Sequence, residues 1–203
     1  IEGVMKVTVI RHFDEVGMDR DFPLSLTELQ AVLGAALDYS EALWLAVFIC
    51  TGAKLNEVLN MRVGTTRAHP SSVGGRDFPA MTLLSAHLRH YAAEIRPLLR
   101  APRGGEEALA SEYLWLSSYA RSPLTRTTVA QTLDRIGASI GLDLTTVRFR
   151  NTRLAYLWHE LGHDDPRALR RFAGVASHFE IVRRVEDAII GRPEVFEDVM
   201  ASW

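Results

Sequence analysis

The chain has 203 residues, 47% of them hydrophobic and 24% charged, with a formal net charge of −2. That is enough apolar material to bury a core, in one domain or one domain with an extension. A lone cysteine, Cys50, excludes a disulfide framework. There is also no apolar run of transmembrane length and no secretory leader, so a cytoplasmic protein that does not enter a membrane is expected.

The charge is unevenly spread. Residues 121–184 hold 11 Arg against 6 Asp and Glu, while the rest of the chain holds 12 Lys and Arg against 19 Asp and Glu. A basic segment in an acidic chain can form a local positive face, or simply a solvated helical surface. The opening Ile1-Glu2-Gly3 lacks an initiator Met, so a fragment boundary is expected there.

In chain order, residues 4–10 are rich in β-branched side chains and predict a strand, or an arm left from a preceding domain. The polar residues 14–21 predict a linker, which sets 1–22 apart from a main body at 23–190. Residues 23–28 read as a helix start with Ser25 or Thr27 as cap, and Leu29, Val32, Leu33, Ala36 and Leu37 follow at helical spacing. A second, mostly buried helix is predicted over 41–50. Gly52 can turn the backbone into a third helix, for which Thr51 or Asn56 is a candidate cap.

Residues 63–82 read as a loop with a short hairpin, because Pro70, Ser71, Ser72, Gly74 and Gly75 crowd it. Residues 83–99 have helical spacing through Leu84, Leu88, Tyr91, Ile95 and Leu98, and 102–107 form a loop. Tyr113-Leu114-Trp115-Leu116 predicts a short strand and 117–123 a turn. A helix then runs through Leu133 and Ile136 to an end near Gly141. Beyond a further helix in the stretch 145–163, Asp165 and Pro166 mark a new helix start, and 167–172 is amphipathic. Residues 191–203 carry a last amphipathic helix presenting Val195, Phe196, Val199 and Met200. Trp44, Trp115 and Trp158 read as core, whereas Trp203 could anchor a partner.

Two chemistries compete over residues 145–163. His159-Glu160-Leu161-Gly162-His163 is a literal H-E-x-x-H, which puts two imidazoles on one helical face beside a candidate general base for a zinc-bound water. A zinc hydrolase also needs a third ligand, with His178, Glu180 and Glu186 as the downstream choices. Gly162 and Asp164-Asp165-Pro166, however, stop the helix almost at His163, and no further H-x-x-G-x-x-H follows. The favoured expectation is no metal and no cofactor.

The second reading starts from Val147-Arg148-Phe149-Arg150-Asn151-Thr152. This stretch resembles the H-x-x-R-H-T motif of the tyrosine recombinases (phage integrases), with Val147 in place of the first His. Thr51-Gly52-Ala53-Lys54-Leu55-Asn56-Glu57-Val58-Leu59-Asn60-Met61 is similar to that family's T-G-x-R-x-x-E-x-x-x-L. Here Lys54 stands at the arginine position and Met61 where Leu is usual. Arg76-Asp77-Phe78-Pro79 fits an R-x-x-P stretch that follows the family's hairpin lysine. The lysine itself is missing, since Lys6 and Lys54 are the chain's only lysines. Leu124-Thr125-Arg126 matches a P-L-T-R helix start. The likeness runs from about residue 24 to 185.

The resemblance implies a mainly helical α+β domain of the tyrosine-recombinase catalytic type, with a small sheet or hairpin and without an amino-terminal DNA-binding domain. It also implies the site. Strand exchange needs a tyrosine nucleophile and cationic forks to hold the phosphorane-like transition state. Val147 and Val175 fill the imidazole positions and Arg184 the nucleophile position, and no tyrosine follows Tyr156. Valine moves no proton and arginine stays protonated, so strand cleavage is not expected.

What remains is phosphate binding by Lys54, Arg148, Arg150 and Arg153, with Arg126 and Arg184 as weaker candidates. For Arg150 the competing reading is a buried side chain paired with Glu57 or a backbone carbonyl. For Arg148 and Arg153 it is plain surface charge. The expected function is thus a non-cleaving, double-stranded-DNA-binding recombinase-like protein with a regulatory or assembly role in recombination, integration or mobile-element biology. Its helix at 191–203 would dock on another copy or on a partner recombinase. The alternatives are an active recombinase with an unusual nucleophile, the zinc hydrolase, and a protein-interaction module on the same fold.

Overall fold

The structure, a computed structural model, describes residues 23–77, 81–99, 112–117 and 122–161, with side chains as far as 157. Seven α-helices and one hairpin lie within these residues. The expected strand at 4–10, the helices at 167–172 and 191–203, and Val175, His163 and Arg184 fall outside them.

Helix α1 (Leu26–Gly34) begins at Ser25, whose hydroxyl accepts from the Glu28 amide while Glu28 returns a bond to the Ser25 N–H at 2.8 Å. This reciprocal cap satisfies two amides that a helix start otherwise leaves open. Helix α2 (Tyr39–Thr51) is capped by Asp38, which accepts the Glu41 N–H at 2.8 Å. Leu43, Leu45, Ala46, Val47, Phe48 and Ile49 are fully buried, so α2 is apolar on every side and forms the centre of the core. It packs against α1, the short α3 (Leu55–Leu59), α5 (Thr82–His90) and α7 (Thr146–Leu161). Each large side chain buried there stabilises the fold by about 1.5–3 kcal/mol.

The region expected to be loop contains α4 (Val63–Ala68) before the hairpin. Its sequence, V-G-T-T-R-A, has weak helix propensity, and the helix is held by tertiary contacts. Thr66 is buried, and Arg67 donates through Nε and Nη2 to the Ala92 carbonyl at 3.2 and 2.9 Å. In the hairpin, β1 (Ser72–Val73) pairs antiparallel with β2 (Arg76–Asp77) in the register Ser72↔Asp77 and Val73↔Arg76. Gly74 and Gly75 turn it with φ of 60° and 74°, the mirror-image geometry that suits the right-handed twist of paired strands.

The long helix expected over 83–99 is three pieces. After α5 comes a π-helical turn, Tyr91–Ile95, and then a 3-10 turn, Arg96–Leu98. The carbonyl drawn to Arg67 lies in the π turn, where the ladder is widened. Tyr113-Leu114-Trp115-Leu116 does not form a strand. It makes two isolated bridges, Arg62↔Tyr113 and Leu116↔Pro123. Helix α6 (Arg126–Ile140) is capped by Thr125, and it ends at Gly141 as its sequence predicts.

Helix α7 is the other centre of the molecule, and it is not apolar. Arg148, Asn151, Thr152 and Arg153 are all buried beside Phe149, Leu154, Ala155, Tyr156 and Leu157. Phe149 stacks on Phe48 of α2 with ring centroids 6.4 Å apart. Thr152 Oγ1 accepts the Leu24 N–H at 2.9 Å and Tyr156 donates to the Leu24 carbonyl at 3.4 Å, so α7 fastens the chain ahead of α1.

Candidate nucleic-acid interface

The site grows from the end of α2. Gly52 takes a left-handed conformation, φ 59° and ψ 26°, and its N–H closes the helix on the Phe48 carbonyl. A side chain there would be strained, and its Cβ would lie 3.1 Å from the Arg153 Cβ. Thr51 donates to the Val47 carbonyl at 2.6 Å and accepts the Ala53 N–H at 3.1 Å, which fixes the two-residue link to Lys54. Thr51 therefore shapes the turn and does not cap α3. Asn56 is likewise no cap, because it lies inside α3. The start of that helix is satisfied by Glu57 Oε2, which accepts the Lys54 N–H at 2.6 Å.

Glu57 also settles one of the alternatives for Arg150. Its carboxylate pairs with Arg76 on β2, at 2.5 Å, under a hairpin so close that a Cβ on Gly74 would lie 2.7 Å from the Glu57 Cγ. Arg150 is buried and donates from Nη1 to the Gly52 carbonyl at 3.2 Å, which is the backbone-carbonyl half of that competing reading. The turn that carries Lys54 is thus tied to α7 through Arg150 and to the hairpin through Glu57.

Lys54 and Arg150 line one open cleft of about 270 Å³ with Ala53, Leu55, Asn56, Arg126, Thr146 and Val147. Arg126, at the first position of α6, reaches it by donating from Nη2 to Asn56 Oδ1 at 2.6 Å. Three cations converge there, and no carboxylate is among the described residues that line the cleft. Lys54 is exposed and Arg150 is 7% exposed, so one cation stands in solvent and the other is buried at the cleft wall. Val147, 48% exposed, faces the same space as an apolar wall.

The other two candidates lie elsewhere. Arg148 is fully buried, with Nη1 donating to the Asp143 carbonyl at 2.7 Å. Arg153 is buried against Gly52, beside Cys50. Neither lines the cleft, and neither is the surface charge that the competing reading supposed. For Arg148 the reason is helical geometry: residues two apart point about 200° away from each other, so Arg148 and Arg150 cannot share a face. Arg153, one turn on from Arg150, is instead taken up by packing against Gly52. For Arg148 that signal was available in the sequence; for Arg153 it was not. Nor was the pairing of Arg126 with Asn56 across 70 residues.

The backbone of α7 continues through His159 and Glu160 to Leu161, while the side chains that would test H-E-x-x-H lie outside the description. Among the described residues no group of three His, Cys, Asp or Glu is placed to hold a metal ion, and no helix is long and apolar enough to cross a membrane.

No family model matches the chain, and no curated protein matches it. Among solved structures it is similar to the crystal structure of XerA recombinase, with a TM-score of 0.65 and 17% identity. The match covers 90% of this chain and 65% of that one, so the chain spans just under two thirds of its neighbour. The fold is that of a tyrosine-recombinase catalytic domain. At this identity the likeness concerns architecture: a mostly helical body with one small antiparallel hairpin.

Proposed function

We propose that this recombinase-like chain binds double-stranded DNA through the phosphate backbone without cutting it, serving a regulatory or assembly role in recombination, integration or mobile-element biology. The observation that carries this reading is the convergence of Lys54, Arg126 and Arg150 on one cleft whose described lining holds no acid. Arg150, already oriented by the Gly52 carbonyl, offers a planar fork to two phosphate oxygens, and Lys54 supplies an exposed point charge. Arg148 and Arg153 act from beneath, by fixing α7 and the Gly52 turn. Val147 cannot donate the proton that a leaving oxygen requires, which supports binding without cleavage. Residues 191–203 are assigned to contact with another copy or with a partner recombinase.

Titration of a fluorescent duplex at about 50 and about 200 mM salt tests the proposal. Affinity should fall steeply with salt, and Lys54→Ala combined with Arg150→Ala should weaken it about tenfold or more. Binding that ignores both salt and the double substitution sinks the reading. A covalent adduct on a nicked suicide substrate sinks its non-cleaving part.

A further inference from the structure

A second groove, of about 390 Å³, runs along the other side of α3. Asn56 lines both spaces, so the groove adjoins the cationic cleft at that residue. Its walls combine apolar surface, Met61 included, with the polar groups of Asn60, Thr65 and Ser72 and the backbone of Gly74 and Gly75. Glu57 is also in the lining, with its charge matched by Arg76.

One wall is a platform. The Arg62 guanidinium lies over the Tyr113 ring, 3.7 Å from its centroid. Backbone pairing locks this stack: Val63 N–H donates to the Glu112 carbonyl at 2.9 Å and Leu114 N–H to the Met61 carbonyl at 2.8 Å, on either side of the Arg62↔Tyr113 bridge. A guanidinium spread flat on a ring normally completes its hydrogen bonds with a carboxylate or carbonyls, yet Arg62 has no such acceptor among the described residues. It therefore presents a planar cation with open N–H edges to a groove that also offers amides and hydroxyls.

We propose that this groove accepts an unpaired nucleobase next to the phosphate held by Lys54 and Arg150, so that the chain prefers bulged or distorted DNA to intact duplex. The inference rests on the phosphate-binding reading above and extends it. A base lying on Arg62 is sandwiched by a cation whose other face is already covered by Tyr113, the arrangement by which unstacked bases are held on aromatic and guanidinium planes. Asn60, the C-cap of α3, lies one turn after Asn56 and can meet the base edge with an amide donor and acceptor, while Asn56, its Oδ1 held by Arg126, has amide N–H groups to add. A fully paired duplex keeps its bases in the stack and gains nothing here.

The test compares a duplex with the same duplex carrying a single 2-aminopurine bulge. The bulged probe should bind about tenfold more tightly, with its emission quenched on binding. Arg62→Ala and Arg62→Lys should each bring the ratio of the two affinities toward one, because lysine keeps the charge but not the plane. Asn60→Ala should lower the ratio by a smaller factor. Lys54→Ala with Arg150→Ala should weaken both probes together and leave the ratio standing. Equal affinity for the two probes without quenching, in a protein that still binds duplex in a salt-sensitive way, overturns the base groove alone. No salt-sensitive binding to either probe overturns the phosphate reading and the groove with it.

Discussion

Helices α2 and α7 lie against each other at the centre of the molecule, and both are buried, but for different reasons. From Ala42 to Cys50 every side chain of α2 is apolar and burial follows from the hydrophobic effect, while the polar Ser40, Glu41 and Thr51 sit at its two ends. In α7 three arginines, an asparagine and a threonine are taken out of water within six residues. Desolvating such groups costs free energy unless each finds a partner, so a polar helix at the core is tolerated only where its groups are bonded. Arg148 is bonded to the Asp143 carbonyl, Arg150 to the Gly52 carbonyl and Thr152 to Leu24. The apolar helix supplies stability, and the polar one shapes the turn that presents Lys54.

The largest expected effect breaks the contact between the two. Phe149 is fully buried on Phe48, and Phe149→Ala should lower stability by about 3–5 kcal/mol in urea unfolding. A loss under about 1 kcal/mol would mean that the helices are not packed this way.

Arg148→Ala comes next, with an expected loss of about 3 kcal/mol because a buried charge-assisted bond is removed. The same substitution should leave the salt slope of DNA binding unchanged, since Arg148 touches no solvent. A slope reduced by about one unit would place Arg148 on a phosphate instead.

These two residues also show what the sequence could and could not disclose. The apolar run at 41–50, the Ser25 cap and the helix end at Gly141 are local patterns, and each is found where it is expected. Helix α4, the π turn at 91–95 and the bridges at Tyr113 and Leu116 depend on partners far along the chain, such as Arg67 on Ala92. No local pattern encodes them. In the site, spacing against the recombinase motifs singled out Lys54 and Arg150, and one cleft holds both. Arg148 and Arg153 joined that set only because they are cationic and nearby in sequence, and charge alone does not say which way a side chain points.

Gly52→Ala sharpens the link between turn and site. A left-handed residue with a Cβ costs about 1–2 kcal/mol, and here the new methyl also meets Arg153. Stability should fall by that amount. DNA affinity should fall too, because the displaced Gly52 carbonyl is the acceptor that orients Arg150. Lowered stability with unchanged affinity would separate the turn from the cleft.

The smallest effect reads the seam itself. Cys50 lies on α2 at the α7 side, and burial pushes its thiol up to about 12, with the nearby Arg153 charge acting weakly in the opposite sense. A thiol whose folded value lies above its unfolded one of about 9 favours the folded state at lower pH, and that contribution is lost as pH climbs from about 9 toward about 12. Wild type should therefore lose stability over that alkaline window faster than Cys50→Ala, in which the remaining tyrosines and lysines titrate alone. At about pH 8 the native thiol should resist a disulfide reagent and react only as urea opens the protein, because the thiolate is the reactive species. Rapid labelling of the native chain would mean that α2 and α7 part without unfolding. The polar helix would then be a moving element, and the contrast between the two cores would be one of dynamics as well as chemistry.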